Sequence, residues 1–377
     1  MGRHPVGRAT AILAAILITA CGGTPAAPVA GAATSAPVAP AATGAATSAP
    51  VAAPALATKP PSFDEAASTK ALYDAAVAAN ETEVNFYGSI NEEEAKPLLD
   101  LWTKAFPKIK NNYIRGDETA LVSRILTEEQ AGKHNFDVLS TTSAHLLIPA
   151  GVALKWASPN SALVDPDYKD PAEMWVGIYA NWNIIQINTD KVKKGEIKTY
   201  EDIANPKWKG QVVIDDTDYE WYQGMVKIRG QAATDALLKK IIAATGVVVL
   251  NGHGTINDKI TAGEYAIALN QYLNQPERSK RLGGPTDWVG VEPIVAQLGK
   301  IVVSKGAPHP NAAKLLANWL VGTDAQKYLT GRGRITTRID VPNDPPSLVQ
   351  GLKKTSSPPL GGDELTQIQK SFKAIFK

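Results

Sequence analysis

The sequence predicts an α/β protein of two lobes, and three observations carry that reading. Between residues 83 and 139, short β-rich runs alternate with segments whose apolar residues recur at helical spacing, the order of parallel strands joined by helices. The same alternation resumes after residue 176 and continues to residue 304. Third, 44% hydrophobic and 20% charged residues over a length of 377 suit a soluble chain with enough apolar surface for a core and length for two domains. The net charge of +2 excludes the strongly basic signature of a general nucleic-acid binder and also a polyacidic tail protein. A single cysteine excludes an intrachain disulfide and a Cys-based zinc or iron–sulfur centre.

The chain opens as an export leader. Arg3 and Arg8 precede an uncharged, mostly apolar run from Ala9 to Ala20. As a helix, such a run reaches only about 18 Å, short of the roughly 30 Å of a bilayer core, so residues 1–20 read as a signal peptide. The run ends Ile18-Thr19-Ala20-Cys21-Gly22, which resembles a bacterial lipobox and makes Cys21 the expected lipidation site. Without Arg3 and Arg8, basic residues number 37, equal to the 37 acidic ones. Residues 22–61 are nearly all Ala, Pro, Thr, Gly, Val and Ser, with Lys59 the only charge and ATSAPVA at both 33–39 and 46–52. Prolines interrupt helix and nothing large is available to bury, so the segment reads as a disordered tether. At ~3.1 Å per residue it spans over ~100 Å when extended.

The elements then follow in order. Leu72, Ala75, Ala76 and Ala79 mark a helix over 64–79, and Glu83–Tyr87 reads as a strand closed by Gly88-Ser89. Ala95, Leu98, Leu99, Trp102 and Phe106 share one helical face; Pro97 fits if that helix starts near Glu94. Strands at Asn112–Arg115 and Phe136–Leu139 flank a helix through Leu121–Leu126. A long mixed segment covers 176–189. Later strands are expected at Gln211–Asp215, Val247–Leu250, Tyr265–Leu269 and Ile301–Ser304, with helices from Asp218 to Gly230, up to Gly263, and over Ala312–Leu320. The Pro- and Lys-containing tail, 341–377, has no assigned lobe.

Several stretches resemble the extracellular solute-binding proteins of bacterial ABC importers, in the ferric-binding-like branch. They are Tyr73-Asp74-Ala75-Ala76, Ser123–Glu128 with Ala131-Gly132, Thr199-Tyr200-Glu201-Asp202 through Pro206-Lys207-Trp208-Lys209-Gly210, Ala262–Ala268 and Gly306–Ala313, spread over residues 70–341. The resemblance implies a type 2 periplasmic-binding-protein-like fold: two parallel or mixed sheets flanked by helices, closing on a solute about a hinge. The expected division is lobe 1 over 62–182, lobe 2 over 183–290, and a return to lobe 1 over 291–340.

In open α/β sheets ligands gather beyond the carboxyl ends of strands, so the strand-end loops supply the candidate site. Gly88 and Ser89 follow the first strand, and Ser140, Thr141 and Thr142 the third; capping explains one hydroxyl of these three. Asn181, Trp182 and Asn183 sit at the expected crossing between lobes. Asp216, Asp218 and Tyr219 follow a strand and open a helix; an acid there suits the helix dipole, but three acids in 215–218 disfavour an anion. Asp287 lies near the second crossing. Asn251-Gly252-His253-Gly254 reads equally as an anion cradle or a tight turn. Tyr272 occupies the place where ferric-binding relatives carry paired tyrosines, and here its neighbour is Leu273, which removes one phenolate from any iron site.

The sequence therefore reads as a non-enzymatic, cofactor-free, lipid-anchored receptor at the outer face of a membrane. It is expected to be monomeric, to capture a small polar solute, and to pass it to an ABC permease with its ATPase. The alternatives are a ferric or other metal carrier of the same fold, with Tyr272 as a ligand, and, from another class, a secreted lipoprotein hydrolase. No HExxH, GxSxG or Walker A pattern is present.

Overall fold

The computed structural model describes residues 63–356 and 362–376. The leader, Cys21 and the tether lie outside these described residues. Among the described residues no helix is long and apolar enough to cross a membrane.

The chain begins with α1 (Glu65–Ala78), capped by Asp64, whose carboxylate accepts the Ala67 N–H at 3.0 Å. Then come β1 (Glu83–Gly88), α2 (Glu92–Ala105), β2 (Lys110–Arg115), α3 (Glu118–Gln130) and β3 (Val138–Thr141). The three strands pair in parallel, β1 lying between the other two, as the β-α-β-α order predicts. Helix α2 starts two residues earlier than Pro97 suggested, so this proline lies inside the helix rather than in its first turn.

β4 (Val176–Asn188) is the axis of the molecule, with all 13 residues buried. Its first half pairs antiparallel with β9 (Ile294–Val303), from Val176↔Ile301 to Trp182↔Ala296. Its second half pairs with β7 (Ile267–Tyr272), beginning at Asn183↔Tyr272, and with β8 (Thr286–Val289). Between these come β5 (Val212–Asp215), α4 (Tyr219–Arg229), α5 (Gln231–Thr245), β6 (Val248–Leu250), α6 (His253–Thr261) and α7 (Asn274–Arg281). Helices α8 (Pro310–Leu320) and α9 (Thr323–Gly331) follow β9, then β10 (Lys354–Ser356) and α10 (Gly362–Ile375). Because β4 belongs to both halves, the strands form one continuous mixed ladder, β2-β1-β3-β9-β4-β7-β5-β6, with β10 on β9 and β8 on β4.

Two large apolar cores lie on either side of the change of partners in β4. One gathers Phe86, Leu98, Trp102, Leu316 and Trp319; the other gathers Ile185, Ile214, Trp221, Leu238 and Leu269. The tail finds its place here. β10 extends β9 in parallel at Ile294–Ala296, and α10 inserts Ile368 and Phe372 into the second core. Helix α4 lies close on β9: a side chain at Gly224 would come within 2.5 Å of the Val295 side chain.

Candidate functional site

The site forms where β4 exchanges one partner for the other. There Asn183 on β4, Gln297 on β9 and Tyr272 at the end of β7 converge, and the N-terminus of α4 supplies Asp218, which is 2% exposed. Asp218 accepts hydrogen bonds from Asn183 Nδ2 at 2.6 Å and from Gln297 Nε2. The Tyr272 hydroxyl donates to Gln297 Oε1 at 3.0 Å. His253, opening α6, stacks on the Tyr272 ring with centroids 3.7 Å apart. Its Nδ1 lies 3.0 Å from Gln271 Oε1, which can only accept, so Nδ1 carries the proton and Nε2 faces Asp218 at 3.9 Å.

The electrostatics of this cluster follow from burial and crowded acids. Burial, then the neighbouring charges of Asp215 and Glu220, raise Asp218 well above the usual carboxylate range, against the hydrogen bonds from Gln297 and Asn183. Tyr272 is raised by burial and then by Asp218, Glu118 and Glu220, so its phenol keeps its proton. Burial lowers His253 in spite of Asp215, leaving the ring neutral.

Facing this cluster, Glu118 at the start of α3 accepts from Ser89 Oγ at 3.2 Å and from the Thr142 hydroxyl. Between the two sides lies a cavity of about 430 Å³. Thr142, His145, Trp175, Gln297 and Lys300 line it from the first half, and Glu220 on α4 lines it from the second. A larger hollow of about 600 Å³, lined by Tyr73, Phe106 and Trp319, contains no residue of β4, β7 or β9 and is not part of the site.

Of the residues expected from sequence, Asp218, Tyr272, Ser89 and Thr142 come to this region. Gly88 serves packing, since a side chain there would meet the Tyr113 ring at 3.1 Å. Ser140 is buried beside Tyr179. Thr141 caps the following turn, accepting the Ser143 N–H at 3.0 Å. Asn181 accepts from Arg334 Nη1 at 2.6 Å, and Trp182 belongs to the first core. Asp216 accepts from Asn251 Nδ2 at 2.8 Å. Tyr219 turns its ring edge-on to Phe372, 5.5 Å away, and Asp287 accepts from Lys280 Nζ at 2.8 Å. Asn183 was expected at the crossing together with Asn181 and Trp182, and of the three it is the one that reaches the cluster; sequence reasoning passed over Gln297, Lys300, Glu118 and Glu220. The apolar Ile294-Val295-Ala296 run was the available signal for an earlier start of β9, which carries Gln297 and Lys300.

A long strand shared by two α/β halves, with a buried polar cluster and a cavity at the change of partners, defines a ligand-cleft protein of the two-lobed binding class. Residues 98–351 match the model of the bacterial extracellular solute-binding protein family, and the chain belongs to that family. Among its relatives, Iron uptake protein A1 of Synechocystis sp. is 30% identical over 156 residues, which are 38% of this chain and 40% of that protein. Iron uptake protein A2 of the same organism is 23% identical over 313 residues, covering 74% of this chain and 84% of the relative. Iron-bound HitA from Pseudomonas aeruginosa superposes with a TM-score of 0.67 at 19% identity, over 78% of this chain and 99% of HitA. The substrate binding protein of an ABC transporter from Agrobacterium tumefaciens gives 0.70 at 14% identity, over 79% and 95%. These two structural likenesses establish the fold: α/β and periplasmic-binding-protein-like.

Proposed function

We propose that the chain is the exported, non-enzymatic solute-binding component of an ABC importer. It captures a small polar solute between its two halves and delivers it to a permease with its ATPase. The supporting observation is the Asp218–Asn183–Gln297–Tyr272 cluster, which ties the start of α4 to both crossing strands beside a cavity. A solute that hydrogen-bonds the polar groups it buries is selected over one that leaves them unpaired by about 1–3 kcal/mol per group. Closure follows only if the solute binds the open and closed forms differently. Lobes meeting at 182/183 and near 290, lipidation of Cys21, attachment to the outer face of a membrane, and a monomeric state complete the proposal.

The second reading is a ferric carrier, favoured by the names of the relatives and by the hard oxygen donors Tyr272 and Asp218, although among the described residues no group of three or more His, Cys, Asp or Glu side chains is placed to hold a metal ion. Against it stands the Tyr272 phenol, held protonated and donating to Gln297. A thermal-shift screen of organic acids, amines, sugars and metal ions decides, together with metal analysis and the visible spectrum of the purified protein. An organic solute that stabilises colourless, metal-free protein supports the first reading. Stoichiometric iron with a phenolate charge-transfer band replaces it with the second, and turnover of a screened solute replaces it with the hydrolase.

A further inference from the structure

Lys300 lies on β9, on the wall of the cavity between the two halves. Its Nζ donates to the Thr142 carbonyl at 2.7 Å and stands 5.5 Å from the centre of the Trp175 ring. Among the described residues no carboxylate lies within ion-pair distance of it. An ammonium has three N–H donors and no acceptor, so two remain for another partner. Burying such a group is costly unless it is paired.

Its surroundings fit an oxyanion better than a cation. His145 lines the same cavity, and both of its ring nitrogens are buried without a protein partner. Burial and then the charge of Lys300 lower this imidazole to about 4, so it is neutral and keeps one N–H donor. Trp175 offers a flat wall alongside. Three acids border the cavity. Asp170 accepts the N–H groups of Ala172 and Met174, and Asp167 faces Lys354 at 3.4 Å. Glu220 attracts Lys300 across the cavity and is itself raised by burial and then by Glu118. Of the other lysines at the rim, Lys169 donates to the Ser161 carbonyl, and Lys227 stands on α4.

We propose that this cavity receives a carboxylate of an organic solute, seated on Lys300 with His145 as a second donor and Trp175 against its body. The proposal rests on the solute-binding reading and narrows it to a substrate class. It also gives the two ends of the cleft separate tasks. Lys300 holds the carboxylate, while the Asp218 cluster, poor in positive charge, takes neutral or cationic groups of the same molecule.

The test measures thermal shifts and titration calorimetry on the whole soluble protein in the presence of a metal chelator. The probes are matched pairs: acetate and acetamide, succinate and succinamide, benzoate and benzamide, glutamate and glutamine. At least one carboxylate is expected to stabilise the protein and to bind tighter than its amide. Lys300→Met, which keeps the stem, should weaken that carboxylate about tenfold or more, the scale of a lost hydrogen bond to a charged group. Its amide should be weakened far less, and Lys300→Arg should restore most of the carboxylate's advantage. Amides that bind as well as their carboxylates overturn the inference, as does a Lys300→Met variant that retains the full preference. So does binding of carboxylates only together with added ferric ion, because the carboxylate then serves the metal. If amines, sugars or metal ions stabilise the protein while carboxylates do not, this inference fails and the solute-binding reading stands. If no class of solute acts, both fail.

Discussion

Breaking the buried pair between Arg334 and Glu94 should loosen the protein directly beneath the site. Arg334 grips Glu94 through Nε at 2.9 Å and Nη2 at 2.7 Å, with each side chain only 7% exposed. The same guanidinium donates to Asn181 on the crossing strand and lies 4.1 Å from the centre of the Tyr179 ring. Removing one partner of a buried pair costs about 3–5 kcal/mol, mostly because the other charge stays behind uncompensated. For roughly 300 ordered residues at about 2.1 cal/mol/K each, the unfolding entropy is about 0.6 kcal/mol/K, so Glu94→Gln should lower the melting temperature by about 5–8 °C. Arg334→Met should cost more, because it also strips Asn181 and Tyr179 of their contacts. The double variant should recover part of the loss, since a pair replaced as a whole is often nearly neutral. The pH dependence has a definite sign. Burial alone would raise Glu94, but the charge and hydrogen bonds of Arg334 prevail and hold it below the usual 4.5. A depressed carboxyl contributes its stability above the unfolded-state pKa and loses it as pH falls through the folded one. The gap between wild type and Glu94→Gln should therefore be full near neutrality and shrink below about pH 4. Calorimetric melts of the three variants and the wild type from pH 3 to 8 test this. A shift at pH 7 of less than about 1.5 °C, the scale of an exposed pair worth about 1 kcal/mol, would refute the reasoning.

Two further outcomes follow from the same geometry. Asp218 is raised by burial and nearby acids, so above its unfolded-state value the native protein loses stability as pH rises; the melting temperature of Asp218→Asn relative to wild type should climb from pH 4 to pH 7, and a pH-independent difference would contradict the assignment. Phe372 is 1% exposed and packs on Tyr222 and Tyr219, so Phe372→Ala should cost about 3–5 kcal/mol in urea unfolding; a loss below about 1 kcal/mol would mean that α10 is a surface appendage rather than part of the second core.

Much of the architecture was legible because its signals are local. The alternation of β-rich runs with apolar helical faces marked α1 through β3, and the long mixed segment over 176–189 is the stretch that folds as β4. Helix α7 was unreadable because Asn274-Gln275-Pro276-Glu277-Arg278-Ser279-Lys280-Arg281 carries no apolar stripe. The class of protein was also within reach, since motifs spread over 70–341 resemble a family whose model the chain matches over 98–351. Asp218 and Tyr272 could be singled out because each follows a strand, where α/β folds place their ligands.

Which of these residues meet was decided only by tertiary structure. Asn183 and Gln297 stand 114 positions apart and touch because β4 pairs with β9 up to Trp182 and with β7 from Asn183 onward. Glu118, Glu220 and Lys300 carry no mark in the sequence that separates them from other polar residues. Glu220 and Lys300 gain their roles from a shared cavity, and Glu118 from its hydrogen bonds with Ser89 and Thr142, all of which depend on long-range packing. The sequence alone determined the family and those elements that carry a strong apolar pattern, because periodicity and motif are properties of neighbouring residues. The folded chain decided the site, because hydrogen bonds and desolvation act between groups that are distant in sequence and close in space.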